Sequence, residues 1–262
     1  MVLASSRSVC GEGAYQCNRC GLVYPAARTA DRLRAGQWDP LCPICGDTIV
    51  SVPTPENGVL TPASIYAVTK LAQEELLRVT SKALGLPAVI LRLQKVYGEG
   101  QSLRNPYTGL MTIFAGQLRA GKSLTLFEDG QESRDFVHVG DAARALSLAL
   151  LEEAADGCTF NVGSGSAASL ETIAKTLCAY FGAKSEYRIT GQFRLGDVRH
   201  CSADVTAIAD RLGFTPMISL EQGLDRLLAW VKSQPVESGQ WEMANEQLVN
   251  RGLMPNRPVF AD

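Results

Sequence analysis

The stretch "TPASIYAVTKLAQEELLRVTSKALGLPAVILRL", Thr61 to Leu93, decides the fold class. Apolar residues return at helical spacing through its first part. Thr61 offers an N-cap with Pro62 at the first helical position, and Gly85 offers a stop. "PAVILRL" (87–93) then follows as a continuous apolar run of strand length, the pattern of a strand buried on both faces of a parallel sheet. Helix then strand at this spacing predicts an α/β fold with a Rossmann-like parallel sheet.

Working outward, "VLASS" (2–6) reads as a short strand running into small residues, of the kind that lies deep in a sheet. Downstream come the loop "GEGQSLRNPYTG" (98–109), a helix to Ala120, the strand "SLTLF" (123–127), a turn at "EDGQ", and "RDFVHV" leading into a helix from Asp141. "CTFNVGSG" (158–165) reads as a strand with a glycine turn, and "SLETIAKTLCAYFG" (169–182) as a helix capped by Ser169. A strand "EYRIT" and two helices around "DVTAIADRLGF" and "SLEQGLDRLLAWVKSQ" close the pattern, and the tail after Pro235 has no periodicity. This divides the chain into 1–100, part of a dinucleotide-binding domain with an insertion at about 15–52; 101–234, mainly substrate-binding with segments returning to the sheet; and an irregular tail, 235–262.

The 262 residues carry a formal net charge of −2 and no basic run, which removes the electrostatic pull that nucleic acid or an anionic membrane requires. Apolar runs such as "ALSLALL" (145–151) fall far short of a membrane span, and the N-terminus lacks the form of a signal peptide. These features predict a cytoplasmic, small-molecule enzyme without a nucleic-acid or membrane partner.

Of the eight cysteines, four fall in two tight pairs, Cys17-x-x-Cys20 and Cys42-x-x-Cys45, each followed directly by glycine, Gly21 and Gly46. This is the knuckle spacing of a zinc ribbon. Two matched knuckles in a cytosolic protein predict zinc over the alternatives, a redox pair or an iron–sulfur site, and four thiolates complete its tetrahedral shell and leave no place for a catalytic water, so its role is structural. Lying between the first strand and the Tyr66 helix, the insertion is expected to form a wall or lid of the substrate pocket. Cys10, Cys158, Cys178 and Cys201 stand singly and read as small core residues.

Tyr66 and Lys70 stand four residues apart, so their side chains share one helix face. A phenol with a pKa of about 10 is a poor base at neutral pH, and about three units of depression, roughly 4 kcal/mol, would make it a useful one. An ammonium alongside favours the phenolate. Spacing alone is equally consistent with an exposed polar pair, so its surroundings carry the weight.

A strand ending in Ser5-Ser6, the Tyr/Lys helix, and "VILRL" running into "VYG" resemble, in that order, the extended short-chain dehydrogenase/reductase family of NAD-dependent nucleotide-sugar epimerases and dehydratases. "DGQESRDFVHVGDAARA", "FNVGSG" and "FRLGDVRHCSAD" extend the resemblance from Val2 to about Gln234. It implies Ser6 as the serine that bonds the reacting sugar oxygen, Tyr66 as acid/base, and Lys70 as its partner and holder of the nicotinamide ribose. It also implies NAD as cofactor. Arg134 and Arg194 resemble the arginines that clamp the substrate diphosphate with forked donors. Lys95 stands near those phosphates where relatives commonly have asparagine, and Cys10 replaces a usual tyrosine.

Dehydratases of this family follow the serine with an acidic pair, and decarboxylases place a glutamate there. "SSRSVCG" (5–11) has no carboxylate. The resemblance therefore implies epimerisation at C4 of a dTDP- or UDP-linked sugar. The insertion and the 98–109 loop are similar to the group acting on dTDP-L-rhamnose and dTDP-6-deoxy-L-talose. Dimerisation through the Tyr/Lys helix, common in the family, implies a homodimer. The family's glycine fingerprint and ribose-binding acid have no counterpart, so the chain is expected to begin near the fourth Rossmann strand. "GSGSAAS" (163–169) offers only a weak phosphate cradle. A second reading stays open, that of a truncated, non-catalytic sugar-nucleotide-binding chain with a zinc ribbon.

Overall fold

The computed structural model describes residues 1–103, 105, 109–182, 186–235, 246, 247 and 249–252. Strand β1 (Val2–Ser6) turns into a short 3-10 segment, Arg7–Cys10. Then β2 (Tyr15–Cys17), β3 (Gly21–Val23), α1 (Ala30–Arg34) and β4 (Val50–Ser51) form the cysteine-bearing segment. Helix α2 (Ile65–Leu84) leads to β5 (Val89–Leu93), β6 (Lys95–Tyr97), α3 (Leu110–Arg119), β7 (Leu124–Leu126), β8 (Ser133–His138) and α4 (Val139–Leu151). The chain continues through β9 (Thr159–Val162), β10 (Ala167–Ser169), α5 (Leu170–Phe181), β11 (Tyr187–Ile189), β12 (His200–Cys201), α6 (Thr206–Leu212) and α7 (Leu220–Ser233). No described helix is long and apolar enough to cross a membrane.

β1, β5 and β9 form a parallel sheet in that order, the α/β layer expected. Among the described strands β1 pairs with β5 alone, so it lies at the sheet's edge and not deep within it. β8 collects a second sheet, with β10 antiparallel to it and β6 and β12 parallel. Only Gln94 separates β5 from β6, so the chain passes from one sheet to the other within a single residue.

Two cores result. One gathers Val89, Leu91, Ala145, Phe160, Ile208 and Phe214 between the parallel sheet and helices α4 and α6. The other gathers Met111, Phe114, Leu124, Ile173, Leu177 and Leu227 where α3, α5 and α7 enclose β7. Each such fully buried large side chain contributes about 2 kcal/mol.

The parallel sheet carries a polar row through β5, whose stretch reads in the sequence as a continuous apolar run. Register places Ser5 beside Arg92 and Arg92 beside Asn161. The Arg92 guanidinium donates to both oxygens of Glu74 on α2, at 3.0 and 2.9 Å, and to the Glu56 carbonyl at 2.8 Å. The Ser5 hydroxyl adds a 2.6 Å bond to Glu74. Both charged side chains are buried, Arg92 2% and Glu74 0% exposed. Burial by itself would raise the Glu74 pKa, but Arg92 and Ser5 outweigh it and hold the carboxyl below the usual glutamate range.

Helix boundaries follow their caps. The α2 N-cap is Ser64, whose hydroxyl accepts from the Ala67 N–H; Thr61 instead donates to the Cys10 carbonyl, a tertiary bond that keeps it out of the helix. Gly85 ends α2 in the left-handed conformation, as its position predicts. α4 begins at Val139, ahead of the expected Asp141, because the His138 ring accepts from the Gly140 N–H. Ser169 and Ser219 cap α5 and α7. Parts of the 98–109 loop (104 and 106–108) and most of the 235–262 tail lie outside the described residues.

Removing one member of a buried ion pair strands the other. Glu74→Gln is therefore expected to lower the unfolding free energy in urea by about 3 kcal/mol at neutral pH, and Glu74→Leu combined with Arg92→Met by much less. Because the folded carboxyl titrates below its unfolded value, the pair's contribution is present at neutral pH and fades as pH falls through the folded pKa.

Candidate functional site

The carboxyl edge of a parallel sheet is the usual binding edge of an open α/β fold, and Ser6 at the end of β1 lies on it. Ser6 ends β1, and its hydroxyl accepts from the Ser8 N–H, capping the 3-10 turn. Tyr66 lies in the first turn of α2 and is 56% exposed. One turn on, the Lys70 ammonium donates to the Ala4 carbonyl of β1 at 3.0 Å and to Gln73 at 3.2 Å, with its Nζ 6.0 Å from the centre of the Tyr66 ring. Lys70 thus links the tyrosine helix to the strand that carries Ser6.

Of the three cations expected to meet phosphate, Arg134 pairs directly with Asp197, and Lys95 and Arg194 act on that carboxylate electrostatically. The Arg134 guanidinium, buried on β8, donates to Asp197 Oδ1 at 3.1 Å and to the carbonyls of Ser133 and Arg199 at 2.9 and 3.0 Å. Burial would raise the Asp197 pKa, but Arg134, Lys95 and Arg194 together pull it below the ordinary aspartate value. Lys95, on β6, is lowered from the usual lysine value, first by desolvation and then by the Arg134 charge. Arg194 stacks its guanidinium 4.9 Å from the centre of the Phe127 ring. The forked guanidinium donors of Arg134 and Arg194 are of the kind that suits a diphosphate.

The insertion lines a cavity together with the segment that precedes α2. This cavity of about 260 Å³ is lined by Gly11 and Glu12 after the serine turn, Thr61 to Ala63 before α2, Gly196 and Val198, and Ala26 and Ala27 of the insertion. Its four cysteine sulfurs lie within 4.8 Å of one another, and the sulfurs of Cys17 and Cys45 are 3.6 Å apart. A tetrahedral zinc with bonds of about 2.3 Å requires sulfurs about 3.8 Å apart, so the arrangement suits that ion. Gly21 and Gly46 hold φ of +76° and +77°, the left-handed backbone a knuckle needs after its second cysteine. β2, β3 and β4 bring the pairs together around Tyr15, Val23 and Ile49.

Several residues at the site carry no motif. Glu12, Arg28, Glu128 and Arg199 form a buried charged hub between the insertion and the Asp197 loop. Glu132 is buried beside it, and desolvation with the nearby Glu128 charge pushes its carboxyl up to about 8. The signal available in the sequence was charge in otherwise apolar or loop segments, which demands partners but does not name them. "GSGSAAS" is no phosphate cradle: the N–H groups of Ser164 and Gly165 are spent on the Asp135 carboxylate, at 2.7 and 3.1 Å. Cys10, Cys178 and Cys201 are buried as expected, whereas Cys158 is half-buried beside Arg211.

Comparison with known proteins matches residues 45–163 to the NAD dependent epimerase/dehydratase family. The chain is 41% identical over 237 residues to the dTDP-L-rhamnose 4-epimerase of Burkholderia thailandensis, covering 89% of this chain and 63% of that protein. Among solved structures, the UDP-glucuronic acid 4-epimerase of Bacillus cereus, in complex with UDP-glucuronic acid and NAD, superposes with a TM-score of 0.63 at 30% identity, covering 70% of this chain and 57% of that one. The UDP-glucose 4-epimerase of Thermotoga maritima, with UDP-glucose, gives a TM-score of 0.62 at 32% identity over 70% of this chain and 58% of that one. The chain thus spans about three fifths of the length of these relatives, and dehydratases and a decarboxylase stand among the more distant ones. A parallel sheet with a serine at one strand end and a Tyr/Lys helix tied to that strand accords with these matches: the chain belongs to the NAD-dependent epimerase/dehydratase family.

Proposed function

We propose that the chain serves NAD-dependent 4-epimerisation of a nucleotide sugar, with dTDP-L-rhamnose and dTDP-6-deoxy-L-talose as the interconverted pair. The observation that carries this reading is the Lys70 anchor on the Ala4 carbonyl, which ties the Tyr66 helix to the strand that ends in Ser6. The sugar pair is favoured by the relative named dTDP-L-rhamnose 4-epimerase.

In this reading Tyr66 takes the proton from the C4 hydroxyl through its exposed phenolic oxygen, and Ser6 bonds the same sugar oxygen. NAD+, when bound, accepts the hydride from C4 and returns it to the opposite face. Lys70 and Tyr66 would hold the nicotinamide ribose. The lysine suits that role because its anchor on Ala4 keeps its charge at the sheet's carboxyl edge. Arg134 and Arg194 hold the diphosphate, fixing one end of the substrate while the sugar turns over. Lys95 supplies a third charge in place of hydrogen bonds from an asparagine. The absence of a carboxylate in Arg7–Gly11 favours epimerisation over loss of water, which needs an acid and a base besides the tyrosine.

The four-cysteine site is assigned to structural zinc, and the 1–100 and 101–234 segments to cofactor and substrate handling. A homodimer through α2 is part of the same reading: Ile65, Val68, Leu76 and Val79 form an exposed apolar stripe along that helix.

The reading is tested by assaying interconversion of dTDP-L-rhamnose and dTDP-6-deoxy-L-talose with added NAD+. Tyr66→Phe is expected to lower turnover by at least about 100-fold while leaving sugar-nucleotide affinity within about twofold; wild-type turnover from that variant would exclude Tyr66 as acid/base. Elemental analysis of the purified chain is expected to find near-stoichiometric zinc, lost when Cys17 and Cys20 are both changed to Ser. A stable, metal-free wild-type chain would contradict the assignment.

A further inference from the structure

Two buried arginines connect the cysteine insertion to the anion cluster. Arg28, in the span between the cysteine pairs, donates to Glu12 at 3.3 Å, to the Trp38 carbonyl at 2.9 Å, to Glu128 Oε2 at 2.7 Å and to the Asp197 carbonyl at 2.9 Å. Arg199 donates to Asp39 at 2.8 Å, to Glu128 Oε2 at 3.2 Å, and to both oxygens of Asp129 at 2.6 and 2.8 Å. Its backbone N–H donates to Glu12 at 2.8 Å, and its carbonyl accepts from Arg134 at 3.0 Å. Glu128, shared by both guanidinium groups, holds φ of +47°, a backbone conformation uncommon outside glycine.

These bonds reach back to the cysteines by short stretches of chain. Glu12 precedes Cys17 by five residues, and Asp39 precedes Cys42 by three. One route therefore runs from the first cysteine pair through Glu12 and Arg28 to the backbone of Asp197. The other runs from the second pair through Asp39 and Arg199 to the Arg134 guanidinium. The side chains of Arg28, Glu12, Glu128 and Arg199 are no more than 3% exposed, so water cannot substitute for a lengthened bond among these four; Asp39, 66% exposed, holds Arg199 from the surface. A shift of the insertion must either break a buried charge pair or move the Asp197 loop.

We infer that Arg28 and Arg199 are positioning residues that transmit the geometry of the cation-held insertion to the Arg134, Arg194 and Asp197 cluster, so that cation occupancy sets the affinity for a sugar-nucleotide diphosphate. This rests on the function proposed above for that cluster. Coupling of this kind is reciprocal, so bound diphosphate raises the affinity for the cation by the same factor.

The test compares the full chain loaded with zinc and stripped by chelator under reducing conditions. It measures dTDP-L-rhamnose binding by calorimetry and amide hydrogen exchange by mass spectrometry. Stripping is expected to weaken binding about tenfold and to speed exchange at residues 194–199, with the β5 amides unchanged. Asp39→Asn, at an exposed residue outside the hub's interior, is expected to fold and keep its zinc yet bind the sugar nucleotide several-fold more weakly, and Asp39→Glu to recover most of the loss. Unchanged affinity and unchanged exchange on stripping would overturn the inference. So would an Asp39→Asn variant that binds as tightly as the wild type. If the loaded wild type binds no sugar nucleotide, the proposed function fails, and exchange at 194–199 alone decides the coupling. If stripping unfolds the whole chain, the two Asp39 variants decide it.

Discussion

A carboxylate and a guanidinium buried together between α2 and β5 fix where the tyrosine face of the helix can lie. Tyr66, Lys70 and Glu74 follow one another at four-residue steps along one side of α2, so whatever holds Glu74 also sets the helical phase of the two residues before it. Arg92 holds Glu74 with two bonds, Ser5 adds a third, and Lys70 reaches the Ala4 carbonyl one turn earlier. Rotating α2 by a single residue, about 100°, would break this set together and leave a buried charge without a partner. Since Ser5 and Ala4 belong to the strand that ends at Ser6, the same bonds fix the serine relative to the tyrosine.

The second charged assembly surrounds Asp197 and Glu128. An anion site needs fixed cations, yet buried cations are costly unless each is paired. The chain pairs its buried cations in layers: Arg134 meets Asp197, and next to them Arg28 and Arg199 are neutralised by Glu12, Glu128 and Asp129. The cysteine insertion supplies Arg28 and Asp39 to this second layer, and Ala26 and Ala27 to the cavity wall. An insertion so tied is a fixed part of the wall and not a free flap.

What was legible in the sequence was what local rules govern. The period of α2, its Gly85 stop and the apolar run of β5 predicted a helix and a parallel strand, and the paired cysteines with their glycines predicted the knuckles. The family resemblance marked Lys95, Arg134 and Arg194 for one ligand, and of these the structure shows Arg134 paired with Asp197. Tertiary bonds decided the rest. Thr61 looked like the cap of α2 but bonds to Cys10, which leaves Ser64 at the helix start. Arg92 sat unremarked in an apolar run because its partner lies 18 residues earlier, on a helix face whose phase only the folded structure reveals. The "GSGS" turn resembled a phosphate cradle, and its amides proved to be committed to Asp135, a residue no local pattern links to it.

Everything derived for the site assumes that the proton handled by Tyr66 and the hydride leaving C4 belong to one reversible oxidation of the sugar. The most direct measurement is the fate of deuterium placed at C4 of dTDP-L-rhamnose, with the chain and NAD+ in ordinary water. The account predicts that the dTDP-6-deoxy-L-talose formed keeps its C4 deuterium, because the hydride returns to the carbon it left. Loss of the label to solvent, or no talose product with the cofactor present, would contradict it.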